Sequence, residues 1–158
     1  MGCGRRRRGT MASRAVSQGL GYVGVEARII GMPTLPRSWV NTLPDQHVTI
    51  KWGLLRCLVR EDDVLEALDG WKPPRRHTGP MWLEKFGQHM VLRIDSPAFL
   101  DANRRLSRLP HVDTFPVYQP HVTIAQVAYK QWGRVERLLE SCVPALSIEF
   151  GKTIITKL

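Results

Sequence analysis

The tetrapeptide His-Val-Thr-Ile occurs twice in the chain, at residues 47–50 and 121–124. In each copy polar and apolar residues alternate, as in a β-strand with one face against a core and the other at a polar surface. His47 and Thr49 should therefore share one face of their strand, and His121 and Thr123 one face of theirs. The repeat predicts two half-buried strands that present the same pair of polar side chains.

Glycines, prolines and short apolar runs divide the rest of the chain into further elements. Before the first repeat we expect a strand at 21–31 and a proline-containing loop at 32–45, and the repeat itself begins a strand at 46–54. Acidic residues then open an amphipathic helix at 61–71, where they suit the positive end of the helix dipole. We expect a loop at 72–80, and further strands follow it.

The second half begins with two apolar runs, 81–86 and 89–94, which predict a hairpin. Ser96-Pro97 is typical of a helix start, and that helix should end before Pro110. The second repeat begins a strand at 121–127. The last elements should be a helix that ends before Pro144, followed by a C-terminal hairpin.

This order of elements predicts an α+β fold with a mixed or antiparallel sheet. A chain of 158 residues, 43% of them hydrophobic, is long enough for one domain with a normal core. We place this domain at 21–158, after a basic segment at 1–20. Met11 follows the arginine run of that segment, and we expect it to be the true start of the protein.

The net charge of +9 includes five arginines within the first twenty residues, which contain no acidic residue. The remaining basic charge suits an anionic partner such as a nucleotide. No run reaches the roughly 18 apolar residues that span a bilayer, and the N-terminus lacks the apolar part of a secretory signal. We therefore expect a cytoplasmic protein without membrane contact. Cys3, Cys57 and Cys142 are too far apart in sequence to indicate a disulfide framework or a zinc site.

Two strands of this kind, placed side by side, would surround one cleft with two imidazoles and two hydroxyls. Because the pKa of histidine is about 6.5, a neutral imidazole can accept a proton while a protonated one donates. The hydroxyls could hold the non-bridging oxygens of a phosphodiester. Two histidines could instead bind a metal, but no third ligand follows at a motif-like spacing and neither motif contains an acid. We expect neither a metal nor a cofactor.

This pair of motifs resembles the signature of the 2H phosphoesterase superfamily, the LigT-like group that includes RNA 2′-5′ ligases and cyclic phosphodiesterases. The resemblance runs from about Gly21 to the C-terminus, with the strand before the first motif, the middle hairpin, the Ser-Pro helix and the final helix in family order. It implies a bilobal fold with pseudo-twofold symmetry around a central cleft. It also implies catalytic roles for the four motif residues, His47, Thr49, His121 and Thr123.

Three segments, QHVTIKWGL, VLRIDSP and VYQPHVTIAQV, are similar to compact phage members of that superfamily, including anti-CBASS enzymes. This similarity implies a metal-independent phosphodiesterase that cleaves cyclic oligonucleotide signals in the host cytoplasm. One alternative is RNA end processing, which acts on a 2′,3′-cyclic phosphate or a 2′-5′ linkage. A second alternative is a nucleotide- or RNA-binding domain that keeps the fold without catalysis.

A nucleotide substrate would also need contacts beside the scissile phosphate, and aromatic rings commonly stack on bases. Candidates for such contacts are Tyr22, Trp52, Trp82, Phe86 and Tyr118. Lys51 lies two residues beyond Thr49, so simple alternation places both side chains on the same face of the strand. Lys51 is therefore a candidate contact to the phosphate. His77, His89 and His111 lack a companion threonine in this pattern, and we expect them to be structural or surface residues.

Overall fold

A computed structural model describes residues 19–112 and 117–156, which form a seven-stranded antiparallel sheet and three α-helices. The strands are β1 (Leu20–Ile30), β2 (Val40–Thr42), β3 (His47–Leu55), β4 (Met81–Phe86), β5 (His89–Ile94), β6 (His121–Val127) and β7 (Ser147–Ile155). The helices are α1 (Glu61–Ala67), α2 (Pro97–Leu106) and α3 (Trp132–Cys142), and the 3-10 turns are Arg37–Trp39, Tyr129–Gln131 and Val143–Ala145. The predicted α+β class is confirmed.

The strand order in the sheet is β4-β5-β6-β3-β1-β7, and the short β2 also pairs with β6. The two strands that carry the repeats, β3 and β6, are therefore neighbours at its centre. β3 pairs with β1 from Glu26 opposite His47 to Leu20 opposite Leu55. In contrast, β3 and β6 are aligned at one residue pair, Val48 opposite Val122.

The apolar members of both repeats face the core. Val48, Ile50 and Val122 are fully buried, and Ile124 is 2% exposed. They belong to one hydrophobic cluster that also contains side chains from all three helices: Val64 of α1, Phe99, Ala102 and Leu106 of α2, and Val135 and Leu139 of α3. Burying this face of β3 and β6 leaves the histidines and threonines on the opposite face.

The predicted helix starts are confirmed, and α2 and α3 end before Pro110 and Pro144 as expected, whereas α1 ends earlier than predicted. Pro97 is the first residue of α2, and Ser96 precedes it in an extended conformation. α1 begins at Glu61 but ends at Ala67, because Leu68 leaves the helical region and Gly70 takes a positive φ of 71°. Beyond this end, the Trp71 indole donates a hydrogen bond to the Ala98 carbonyl and so joins the turn to α2.

Two of the expected elements differ in the structure. The loop predicted at 32–45 contains the short strand β2, which pairs with β6 through Val40 opposite Val127. The prediction of a C-terminal hairpin is wrong, because β7 is one continuous strand paired with β1 from Ser147 to Ile155. Gly151 makes no turn there. Its missing side chain leaves space for the Glu26 carboxylate, which a Cβ at Gly151 would approach to 2.8 Å.

The basic N-terminal segment with its predicted start at Met11 falls almost entirely in residues 1–18, which lie outside the described residues, as does Cys3. Cys57 and Cys142 are free thiols. None of the helices in the described ranges has the length and hydrophobicity required to cross a bilayer.

Candidate active site

The two His-x-Thr pairs meet across the interface between β3 and β6. Because the strands are antiparallel with Val48 opposite Val122, the register places His47 opposite Thr123 and Thr49 opposite His121. All four side chains are half-buried and lie on the face opposite to the core valines. Each histidine therefore faces the threonine of the other motif, and the structure brings the four predicted residues together.

Both histidine rings are oriented by the same type of hydrogen bond. His47 Nδ1 lies 3.0 Å from the Asp45 carbonyl oxygen, and His121 Nδ1 lies 2.7 Å from that of Gln119. A carbonyl oxygen only accepts hydrogen bonds, so Nδ1 of each ring carries the proton and donates it. Nε2 of each ring is then the atom that can exchange a proton, as an acceptor when the ring is neutral and a donor when it is charged.

Of the two motif histidines, His121 lies in the more enclosed environment. The Phe86 ring meets it edge-on, with centroids 4.7 Å apart. Burial lowers the pKa of His121 below its ordinary value, and the nearby charges of His47 and Arg93 lower it further. The hydrogen bond to the Gln119 carbonyl and the charge of Glu84 act in the opposite direction on this pKa. The neutral, proton-accepting form of His121 is favoured as a result.

An ion pair on β4 and β5 flanks His121. The strand register places Arg93 opposite His121 on one side and opposite Trp82 on the other. The Arg93 guanidinium lies 5.0 Å from the centroid of the Trp82 ring, and its Nη1 is 3.1 Å from a carboxylate oxygen of Glu84. Arg93 Nε is buried and has no hydrogen-bond acceptor among the described residues. These contacts hold a cation on the same face as the motif residues.

Sequence reasoning missed Arg93 and Glu84. Alternation within the predicted hairpin would have placed Glu84, Trp82 and Arg93 on one face. However, nothing in the sequence of the hairpin shows that its second strand pairs with the strand carrying the second motif. Only that pairing puts Arg93 beside His121.

Aromatic residues flank the other histidine. The Tyr22 ring centroid is 6.2 Å from that of His47, and the Trp52 ring stacks on Tyr22 at 5.8 Å. These contacts place two of the predicted base-stacking residues next to the first motif. Phe86 and Trp82 lie on the side of His121, and Trp82 is 39% exposed.

The alternation used to place Lys51 on the site face is interrupted. β1 and β3 change register between Val23 and Gly24, so that Lys51 lies opposite the fully buried Val23 and Trp52 lies opposite Tyr22. Cross-strand partners share a face of the sheet. Beyond the irregularity, Trp52 therefore lies on the same face of the sheet as Tyr22, and Lys51 does not.

Tyr118 is placed differently from the other aromatic candidates. It lies in the segment before β6, is half-buried and packs against the hydrophobic core. Its hydroxyl donates a hydrogen bond of 2.9 Å to the backbone carbonyl of Thr49. The ring is therefore part of the structure around the first motif, and an open stacking surface at this position is not supported.

The remaining histidines lie apart from the four motif residues. His77 is buried and its Nε2 is 3.0 Å from the Pro80 carbonyl oxygen, while His111 forms an isolated bridge with Leu54. His89 is exposed at the start of β5. Within residues 19–112 and 117–156, no three His, Cys, Asp or Glu side chains are grouped so that they could hold a metal ion.

The face formed by β3 and β6 thus combines two imidazoles, two threonine hydroxyls and one neighbouring cation. Such a set can exchange two protons and hold an anionic group between them. Comparison of the chain with protein-family models, with curated proteins and with solved structures gives no match.

The lowered pKa of His121 predicts a pH dependence of stability. Between the folded pKa and the unfolded value of about 6.5, the unfolded chain binds more protons than the folded protein. The free energy of unfolding should therefore rise with pH through this window and reach its full value above about pH 6.5. Urea unfolding at a series of pH values should show this rise.

The variant His121→Gln should lose that part of the slope, whereas His89→Gln, which changes an exposed histidine, should keep it. An unchanged slope in His121→Gln would contradict the assignment.

Proposed function

We propose that the protein is a phosphodiesterase that cleaves its substrate by acid-base catalysis with His47 and His121, without a metal ion. The observation that carries this proposal is the register of β3 and β6, which sets each histidine opposite the threonine of the other motif. Both rings also have Nδ1 engaged by a backbone carbonyl, which leaves Nε2 for proton transfer. Two imidazoles and two hydroxyls on one face suit the transition state of phosphodiester cleavage.

The environments of the two histidines support different roles. His121, whose pKa is lowered by burial, is neutral and serves as the general base that takes the proton from the attacking oxygen. His47 then donates a proton to the leaving oxygen. The hydroxyls of Thr49 and Thr123 donate hydrogen bonds to the non-bridging oxygens and keep the phosphate in line.

The arrangement of the sheet supports the bilobal, pseudo-twofold fold that the family resemblance implies. Along the main strand order, β6, β5 and β4 lie on one side of the interface and β3, β1 and β7 on the other, and the short β2 also pairs with β6. Antiparallel strands aligned at Val48 and Val122 are also related by a local twofold axis. Each half of the sheet supplies one motif.

The proposed substrate is a cyclic oligonucleotide signal, as the similarity to phage anti-CBASS enzymes implies. Aromatic rings lie near both histidines, with Tyr22 beside His47, Trp52 stacked on Tyr22, and Phe86 beside His121, and could contact bases on either side of the scissile phosphate. RNA end processing would use the same four groups on a 2′,3′-cyclic phosphate or a 2′-5′ linkage.

Substitution of either histidine should remove most of the activity. Loss of a general acid or base typically costs about 10² to 10⁴ in rate, and residues that act as a pair lose nearly the same amount singly or together. His47→Ala and His121→Ala should therefore be folded and nearly inactive, as measured by turnover and thermal unfolding. His89→Ala is the control and should keep wild-type turnover. Normal turnover in either motif variant would remove that histidine from the mechanism.

The threonines should respond differently, because a hydroxyl orients the phosphate without exchanging the essential protons. Removing one such donor should cost about 2 to 4 kcal/mol of transition-state stabilisation, by analogy with oxyanion-hole donors. At Thr49 and Thr123, serine keeps the donor and valine keeps the shape, so serine variants should stay active and valine variants should not. Thr153→Val, at an exposed position of β7, is the matched control.

A threonine that only fills a strand would tolerate valine at least as well as serine, because valine is also β-branched. Turnover of the valine variants equal to or above that of the serine variants would leave the threonines without a role in phosphate binding.

A further inference from the structure

The site spans the part of the sheet with the least backbone pairing. β3 and β6 are aligned only at Val48 and Val122, whereas β3 and β1 pair along most of their length. The functional groups on either side of this interface nevertheless need a fixed separation, because a displacement of about 1 Å at a catalytic group can cost about 10² in rate. A second contact across this interface would add to the aligned valine pair in holding the two motifs at that separation.

The Tyr118 hydroxyl supplies such a contact. It lies just before β6 in the chain and donates to the carbonyl of Thr49 on β3 over 2.9 Å. This carbonyl belongs to a motif residue one position beyond the aligned pair of Val48 and Val122. Burial raises the pKa of Tyr118, so the hydroxyl stays protonated and remains a donor.

The two residues that follow Tyr118 connect the same segment to the second motif and to β5. The Gln119 carbonyl accepts the bond from His121 Nδ1 at 2.7 Å, and the Pro120 carbonyl accepts one from the Ile94 amide at 3.1 Å. Residues 118–120 thus contact Thr49 of one motif and His121 of the other. A movement of this segment would shift both.

We infer that Tyr118 is a positioning residue, whose hydroxyl fixes the first motif relative to the second through the Thr49 carbonyl. The inference rests on the proposed phosphodiesterase activity for its kinetic consequences. Tyr118 itself does not act on the phosphate. Its ring packs against the core, and only its hydroxyl reaches the motif strand.

The test is Tyr118→Phe, which removes the hydroxyl and keeps the ring. Tyr129→Phe is the matched control, since Tyr129 is 88% exposed. Turnover of Tyr118→Phe should fall about tenfold with KM within about twofold, as expected for misplaced groups with intact binding. Hydrogen exchange should become faster at the amides of residues 47–49 in β3 and 121–123 in β6. The exchange rates of the amides in β1 and β7 should stay unchanged. Tyr129→Phe should behave as wild type in both measurements.

A double-mutant cycle separates positioning from general stability. If Tyr118 positions the first motif, its hydroxyl should matter less once Thr49→Val has removed one of the groups that it positions. A purely structural role would give the same loss in both backgrounds. Additive losses, wild-type turnover, or unchanged exchange at the β3 and β6 amides in Tyr118→Phe would each overturn the inference.

The exchange measurement also separates this inference from the proposed function. If the wild-type protein cleaves no phosphodiester, the proposed function fails, and the exchange rates of Tyr118→Phe alone decide whether the hydroxyl holds β3 to β6. Unchanged rates in that case would overturn the inference as well.

Discussion

The antiparallel alignment of Val48 with Val122 is the contact on which the rest of the structure depends. It joins the two halves of the sheet, and it sets two fully buried valines against the core. Because side chains alternate along a strand, the same contact turns the histidines and threonines to the other face. A shift of one residue in this register would exchange the core and site faces of a strand. Core and site are therefore fixed by one and the same strand pairing.

The alternation of the repeats is a local property, and for this reason the sequence predicted both the core face and the four polar residues of the site. The Ser96-Pro97 helix start is local in the same sense. Features that arise from pairing between distant segments could not be predicted. The register change that moves Lys51 opposite Val23 depends on β1, and the single C-terminal strand depends on its pairing with β1 over its whole length.

The position of Arg93 shows the same limit for the site. Its alternation along β5 is visible in the sequence, but its place beside His121 follows from the pairing of β5 with β6. The two halves of the site are related by a local twofold axis and yet differ in their surroundings. Phe86, Arg93 and Glu84 surround one histidine, while Tyr22 lies beside the other. In the proposed mechanism, this difference is what separates the base from the acid within a locally symmetric arrangement.

The central claim is that this face cleaves phosphodiesters by proton transfer alone. The most direct measurement incubates the purified wild-type protein, in excess chelator, with cyclic di- and trinucleotides and 2′,3′-cyclic mononucleotides, and follows the products by mass spectrometry. The account predicts that at least one of these substrates gains one water, or is rearranged to a linear product, at the same rate with and without chelator. Absence of any product, or activity that chelator abolishes and added metal restores, would contradict it.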